Sequence, residues 1–239
     1  MRSVWMLAAA VALAACGSGN GGDARAAAAV AEAAPARTTA DSAAVVPMDS
    51  GAVRLHIHPS LPPYDFVPHE RKPTVVDSIV VSVQGRRVQT LRPGENLMPP
   101  GAEVERLSPI DLDFDGYADL AFLVMLAMAN SRTEYWRFDP RTRQFHPAGE
   151  FETLMPDSAA GEHTSYNRGG HAGALWTAAR WRWRDGRLAA VWEEEQAWLE
   201  DAQRYVRITR RTREDGTAHV RHDTLDEAEV RPGPSWTQP

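Results

Sequence analysis

The stretch ALWTAARWRWRDGRLAAVWEEEQAW, residues 174–198, constrains the fold more than any other part of the chain. Its large and charged residues alternate with a period of two, and Asp185-Gly186 interrupts the alternation at a point where both residues tolerate positive φ. A helix would scatter these side chains around its axis, whereas a hairpin sorts them onto two faces. Counted outward from the turn, Trp183 is expected opposite Leu188, Trp181 opposite Ala190 and Ala179 opposite Trp192. That places Trp181, Trp183 and Trp192 on the core face and Arg180, Arg182 and Arg184 on the other, with Glu193 diagonal to Arg180. The stretch YVRITRRTREDGTAHVRHDTL repeats the device around Asp215-Gly216.

Other segments have the same character. PTVVDSIVVSVQGRRVQTL offers two β-branched runs around Gly85, and TEYWRFDPRTRQFHPAG reads as strand, Asp-Pro turn, strand. ADLAFLVMLAMAN is apolar throughout and reads as a buried strand ending at Asn130 and Ser131. No convincing long amphipathic helix follows residue 52. The expected fold is all-β, an antiparallel meander closing as a barrel or sandwich, over residues 52–232, with 233–239 as a tail.

The N-terminus carries a different signal. MRSVWMLAAAVALAAC places Arg2 before a short apolar run and ends in LAAC at Cys16, the only cysteine of the chain. A charged start with an apolar run too short to span describes a secretory signal, and LAAC resembles the bacterial lipobox, whose cysteine is lipidated. Residues 1–16 are therefore expected to be a lipoprotein signal peptide, and the mature protein to be free of disulfides. Residues 17–51 are rich in Gly, Ala, Ser, Thr and Pro without an aromatic residue, the composition of a disordered tether. The protein is expected on the periplasmic face of the cell envelope, with the outer membrane as the site of anchoring. The net charge of −6 gives no basic field for nucleic acid.

DLDFDGYADL, residues 111–120, holds four aspartates around one glycine. Asp111, Asp113 and Asp115 at positions 1, 3 and 5 can turn inward, Gly116 permits the sharp turn, Tyr117 can offer its carbonyl, and Asp119 closes the loop at position 9. That spacing follows the start of an EF-hand loop and suits a hard cation such as calcium. The bidentate glutamate of position 12 is replaced by Phe122, and strands flank the loop. The expectation is a structural, strand-flanked calcium loop.

The remaining candidate chemistry is sparse. His56 and His58 share a strand face but lack a third zinc ligand, and His219 and His222 fall on opposite faces. Glu193, Glu194 and Glu195 alternate faces rather than forming a catalytic pair, and read as a solvated strand edge. Trp176 and Trp198 are freer than the other tryptophans of the hairpin. No Ser-His-Asp or Cys-His arrangement is assignable, so no catalytic role is expected.

The aspartate loop, the following NSRTEYWRFDPRTRQF, the Gly-rich HTSYNRGGHAG and the closing YVRITRR together resemble a family of bacterial periplasmic lipoproteins. These accompany the peptidoglycan-degrading effectors of antibacterial type IV secretion and act as immunity proteins against them. The resemblance spans residues 74–225 and is most specific at the aspartates with Tyr135, Phe138 and Asp139. It implies a calcium-bearing β fold similar to the periplasmic lysozyme inhibitors, with Asp111, Asp113, Asp115 and Asp119 as ligands. It also implies a protruding loop that fills the cleft of a peptidoglycan hydrolase. The family's Ser-Gly-x-x-Tyr order is missing here, and the nearest candidate is Ser165, Tyr166, Asn167, Arg168, Gly169, Gly170 and His171. Tyr, Asn and Arg can occupy sugar subsites, and Arg168 or His171 can pair with the enzyme's acids. A flexible Gly-rich connector is the plain alternative for this stretch. At the level of the whole protein, the alternative is a calcium-dependent module that binds an envelope glycan or protein without inhibiting anything.

Overall fold

Alternating apolar residues and left-handed turns produce three antiparallel sheets, each a meander in chain order. The computed structural model describes residues 45–48, 52–72, 74–97, 105–127 and 130–234. The signal segment, Cys16, residues 17–44 of the expected tether and residues 235–239 lie outside the described residues.

The first sheet contains β1 (Val45–Pro47), β2 (Val53–Leu55), β3 (Tyr64–Lys72), β4 (Val75–Val83) and β5 (Arg86–Leu91). The second contains β6 (Leu107–Ile110), β7 (Asp119–Leu126), β8 (Ser131–Asp139) and β9 (Gln144–Glu152). The third contains β10 (Met155–Asp157), β11 (Glu162–Arg168), β12 (Trp176–Arg184), β13 (Arg187–Leu199), β14 (Arg204–Thr212) and β15 (Ala218–Thr224). The all-β expectation holds, without a closed barrel. Strand pairing begins inside the stretch expected as tether, because Val46 pairs with Arg54. Among the described residues the only helical pieces are two three-residue 3-10 turns, His171–Gly173 and Glu227–Glu229.

The second sheet is the middle of the apolar packing. On one face Leu120, Phe122, Val124 and Phe138 join Phe66, Ile79 and Val81 of the first sheet. On the other, Ala121 and Tyr135 join Leu154 and Leu188, with Trp181 and Trp183 against them. This double burial is why ADLAFLVM lacks the alternation of a half-exposed strand. Phe66, Phe122, Phe138 and Phe145 are fully buried, each stabilising the fold by about 1.5–3 kcal/mol relative to exposure. Phe66 meets Phe145 edge to face at 5.5 Å, as Tyr64 meets Phe138 at 5.7 Å.

The turns follow residue chemistry closely. Gln84-Gly85 and Asp185-Gly186 are both left-handed pairs, with φ of 50° and 76° and of 49° and 76°. At the second Asp-Gly hairpin only Gly216 has positive φ, at 82°. The Arg213 N–H donates to the Thr217 carbonyl there, so the loop is longer than the two-residue turn at Asp185-Gly186.

The β12–β13 hairpin shows one consequential departure. Trp183 faces Leu188 and Trp181 faces Ala190 as expected, but a bulge between Arg180 and Trp181 moves the register by one. Trp192 therefore pairs with Arg180 and lies on the arginine face rather than the core face. A one-residue slip inverts every side chain beyond it. Glu194 is buried in a strand paired on both sides, which corrects the expected solvated edge.

Candidate functional site

The aspartate loop joins β6 to β7, and its backbone is tied by its own carboxylates. Asp111 accepts the N–H groups of Asp115 at 3.1 Å and Gly116 at 3.0 Å, and Asp115 accepts that of Tyr117 at 2.9 Å. Gly116 has φ of 87° and Phe114 of 57°, which allow the chain to reverse. Carboxylate oxygens of Asp111, Asp113 and Asp115 lie within 4.8 Å of one another, so this cluster could hold a metal ion. One buried oxygen of Asp113, Oδ1, has no hydrogen-bond partner. Three clustered carboxylates, one of them with an unpartnered buried oxygen, fit a hard cation.

Asp119 sits apart from that group. It is fully buried and accepts the Leu112 N–H at 2.7 Å and the Phe138 N–H at 2.6 Å. Its carboxylate thus clamps the loop onto β8. Tyr117 contributes its ring to packing, stacked on His58 at 4.4 Å and near Phe138 at 5.9 Å.

Electrostatics reflect the crowding. Burial pushes the Asp111 carboxyl up to about 6, and the Asp115 and Asp113 charges add to the rise. Burial raises Asp115 and, more strongly, Asp119. Arg137 on β8 answers this charge: its Nε pairs with Asp113 Oδ2 and its terminal nitrogen lies 3.3 Å from Asp115. Sequence reasoning missed Arg137, although its place between Trp136 and Phe138 on an alternating strand puts it on the face opposite theirs.

The loop touches all three sheets. The Ala118 N–H donates to the Ile57 carbonyl at 2.7 Å next to the first sheet. Arg137 and Phe138 hold it to the second. His163 of β11, fully buried, bonds the Leu112 carbonyl through Nε2 at 3.1 Å and stacks on Phe114 at 4.8 Å, tying it to the third. His163 was not singled out in the sequence, since an isolated histidine carries no spacing signal. His56 is exposed, and His58 bonds Ser60 at 2.7 Å.

The second candidate stretch is divided by the fold. Ser165, Tyr166, Asn167 and Arg168 belong to β11, not to a protruding loop. Ser165 is buried and its hydroxyl accepts the Trp181 indole N–H at 2.9 Å. The Tyr166 hydroxyl donates to the Pro232 carbonyl at 2.9 Å, and Asn167 donates to Glu152 at 3.4 Å. Arg168 at the end of β11 and Gly169, Gly170, His171 and Ala172 after it form an exposed tip that leads to β12. The alternation of strand β11 explains the difference, because its polar Thr and Ser hide a period-two pattern.

The tip is held in an unusual backbone conformation. His171, Ala172 and Gly173 all have positive φ, of 51°, 56° and 90°. Two consecutive non-glycine residues there cost of order 1–3 kcal/mol each. Asn130 braces the base by accepting the Arg168 N–H at 2.7 Å and donating to its carbonyl at 2.9 Å. The Gly169 N–H donates to Leu175 O at 2.6 Å. His171 Nδ1 lies 3.1 Å from the Tyr205 hydroxyl, and its ring is 5.8 Å from Trp198. Trp198 is half-exposed beside it, whereas Trp176, expected to be free, is buried and donates to the Arg231 carbonyl at 2.9 Å.

No protein-family model matches the sequence, and no curated protein matches it. A solved structure, that of a Xanthomonas type IV secretion system related protein, is similar in shape. Its TM-score is 0.45 at 10% identity, covering 77% of this chain and 98% of that one. A likeness at that level carries no argument about the site.

Proposed function

We propose that this chain is a calcium-stabilised periplasmic lipoprotein, anchored through Cys16, that binds and inhibits a peptidoglycan-cleaving enzyme. The observation that carries the reading is the tip at residues 168–172, exposed, backbone-strained and braced from β11, Asn130 and Tyr205. Backbone strain maintained by surrounding structure is characteristic of binding loops and pre-organises them for a cleft. Arg168 and His171 there suit the carboxylates of a glycan hydrolase, and Trp198 and Tyr205 supply aromatic area beside them. In this reading calcium fills the Asp111–Asp113–Asp115 cluster and stabilises the fold, and the chain catalyses nothing itself.

The test uses the protein lacking residues 1–16 against muramidases and related glycosidases. Inhibition at micromolar concentration, lost in His171→Ala and Ala172→Glu with melting temperature retained, is the expected result. Absence of inhibition together with affinity for isolated peptidoglycan would replace this reading with an envelope-binding module.

A further inference from the structure

A strongly charged surface shares no lining residue with the metal cluster or the tip. One face of the third sheet is concave and encloses a cavity of about 1040 Å³, lined by eight arginines and only four carboxylates. In a chain of net charge −6, that is a strong local reversal of sign. The bulge in β12–β13 helps create it, since it delivers Trp192 to this face. Arg180, Trp192, Arg211 and His219 then form one row across four strands, paired in that order.

The carboxylates on the face do not exhaust its arginines. Glu162 holds Arg182 at 2.6 Å with Arg180 at 3.9 Å, and Glu194 holds Arg231 at 2.8 Å with Arg207 at 3.7 Å. Glu214 lies 3.9 Å from Arg184 and Asp223 2.8 Å from Arg221, so the four carboxylates engage six of the eight arginines. Arg211 and Arg213 are exposed and have no carboxylate partner among the described residues. Burial, and next the Arg231 charge, lower the pKa of Arg207, as expected where cations outnumber anions.

We propose that this concave face docks an extended, carboxylate-rich segment of a partner protein. Arginines two apart on β12, and likewise Arg211 and Arg213 beginning on β14, recur at about 6.6–6.8 Å. Alternate side chains of an extended acidic segment recur at the same interval, so each carboxylate meets a guanidinium fork. Trp192 at the centre gives such a segment an apolar platform, with Arg180 5.9 Å from its ring. Tryptophan and arginine together are the composition of protein-binding hot spots. The site is independent of the tip and of the metal.

The test measures fluorescence anisotropy of a labelled peptide in which glutamate alternates with neutral residues, using the protein lacking residues 1–16. The expected result is salt-sensitive binding, weakened at least tenfold in Arg211→Glu/Arg213→Glu and unchanged in His171→Ala. Circular dichroism and melting of the double variant establish that it folds. A milder Arg211→Gln/Arg213→Gln variant keeps the question open to measurement if it does not. Equal affinity of wild type and variant for the peptide would overturn the proposal. So would tighter binding of a sulfated glycan fragment, or of anionic lipid vesicles, at the same salt.

Discussion

Replacing Arg137 by glutamine separates the two ways in which the aspartate cluster can be neutralised. Arg137 pairs with Asp113 and Asp115, with its own side chain 28% exposed and that of Asp113 7% exposed. Losing a charge-assisted hydrogen bond at such a place costs about 1.5–3 kcal/mol. For a domain of this size each kcal/mol moves the melting temperature by about 2–4 °C, so chelator-treated Arg137→Gln should melt about 3–12 °C below wild type. Calcium has the opposite response. Arg137 occupies Asp113 Oδ2 and leaves Oδ1 free, so it acts on a bound ion as a neighbouring positive charge. A unit charge about 6 Å from a divalent ion, with water-like screening, opposes binding by about 1.4 kcal/mol. The variant should therefore bind calcium about tenfold more tightly. If wild type binds on the order of 0.1 mM, as extracellular sites do, 1 mM calcium stabilises it by about 1.4 kcal/mol and the variant by about twice that. Isothermal titration gives the affinity, and thermal melts in calcium and chelator give the linkage. Calcium affinity that is unchanged or weaker in Arg137→Gln refutes the arrangement, because it would mean the arginine supports the ion rather than substituting for it.

Three further outcomes follow from the same geometry. Asp119→Asn keeps one acceptor for the two amides that Asp119 now satisfies, and a buried N–H without a partner makes the change cost about 1–3 kcal/mol by chemical denaturation; a loss below about 0.5 kcal/mol would show that the clamp is dispensable. Because the Asp111 carboxyl is raised to about 6 by burial, the folded protein holds that proton more tightly than the unfolded chain. Wild type in chelator should therefore lose stability relative to Asp111→Asn as pH rises from about 4 to about 6, and the stabilisation given by calcium should grow over the same range; parallel pH profiles for the two proteins would contradict this. At the tip, a Cβ on Gly173 would meet the Arg168 guanidinium at 2.6 Å in a backbone of φ +90°. Gly173→Ala should abolish inhibition while costing the domain only about 1–2 kcal/mol, and a fully inhibitory variant would remove the tip from the interface.

The architecture was legible wherever side chains alternate about a left-handed turn. Gln84-Gly85 and Asp185-Gly186 are visible as paired turn residues, and β7 is visible as an apolar run because both of its faces are covered. What the sequence concealed was the bulge at Arg180, since one inserted residue leaves composition and turn chemistry unchanged while reversing Trp192. It also concealed the end of β11: Ser165 looks like loop material, but burial and the Trp181 indole make it part of a strand. The metal candidates were legible as spacing alone, as far as Asp111, Asp113 and Asp115. Asp119 shares that spacing, yet its neighbours are two backbone amides that only the folded chain brings within reach.

Those amides bear on whether calcium controls binding or only stability. The loop reaches the third sheet through His163, five residues before Arg168 on the strand that leads to the tip. The tip, however, is fixed by contacts that do not involve the loop: Asn130 on Arg168, Tyr205 on His171 and the Gly169–Leu175 hydrogen bond. A cation can shift the tip only by as much as it favours one tip conformation over another, and these braces hold the conformation without the loop. On the proposed reading, calcium would therefore stabilise the whole domain without switching its partner surface. Well below the melting temperature, inhibition should be the same in calcium and in chelator, and should fail in chelator only where melting begins. A loss of inhibition in chelator by protein that is still fully folded would place the metal in the binding event itself.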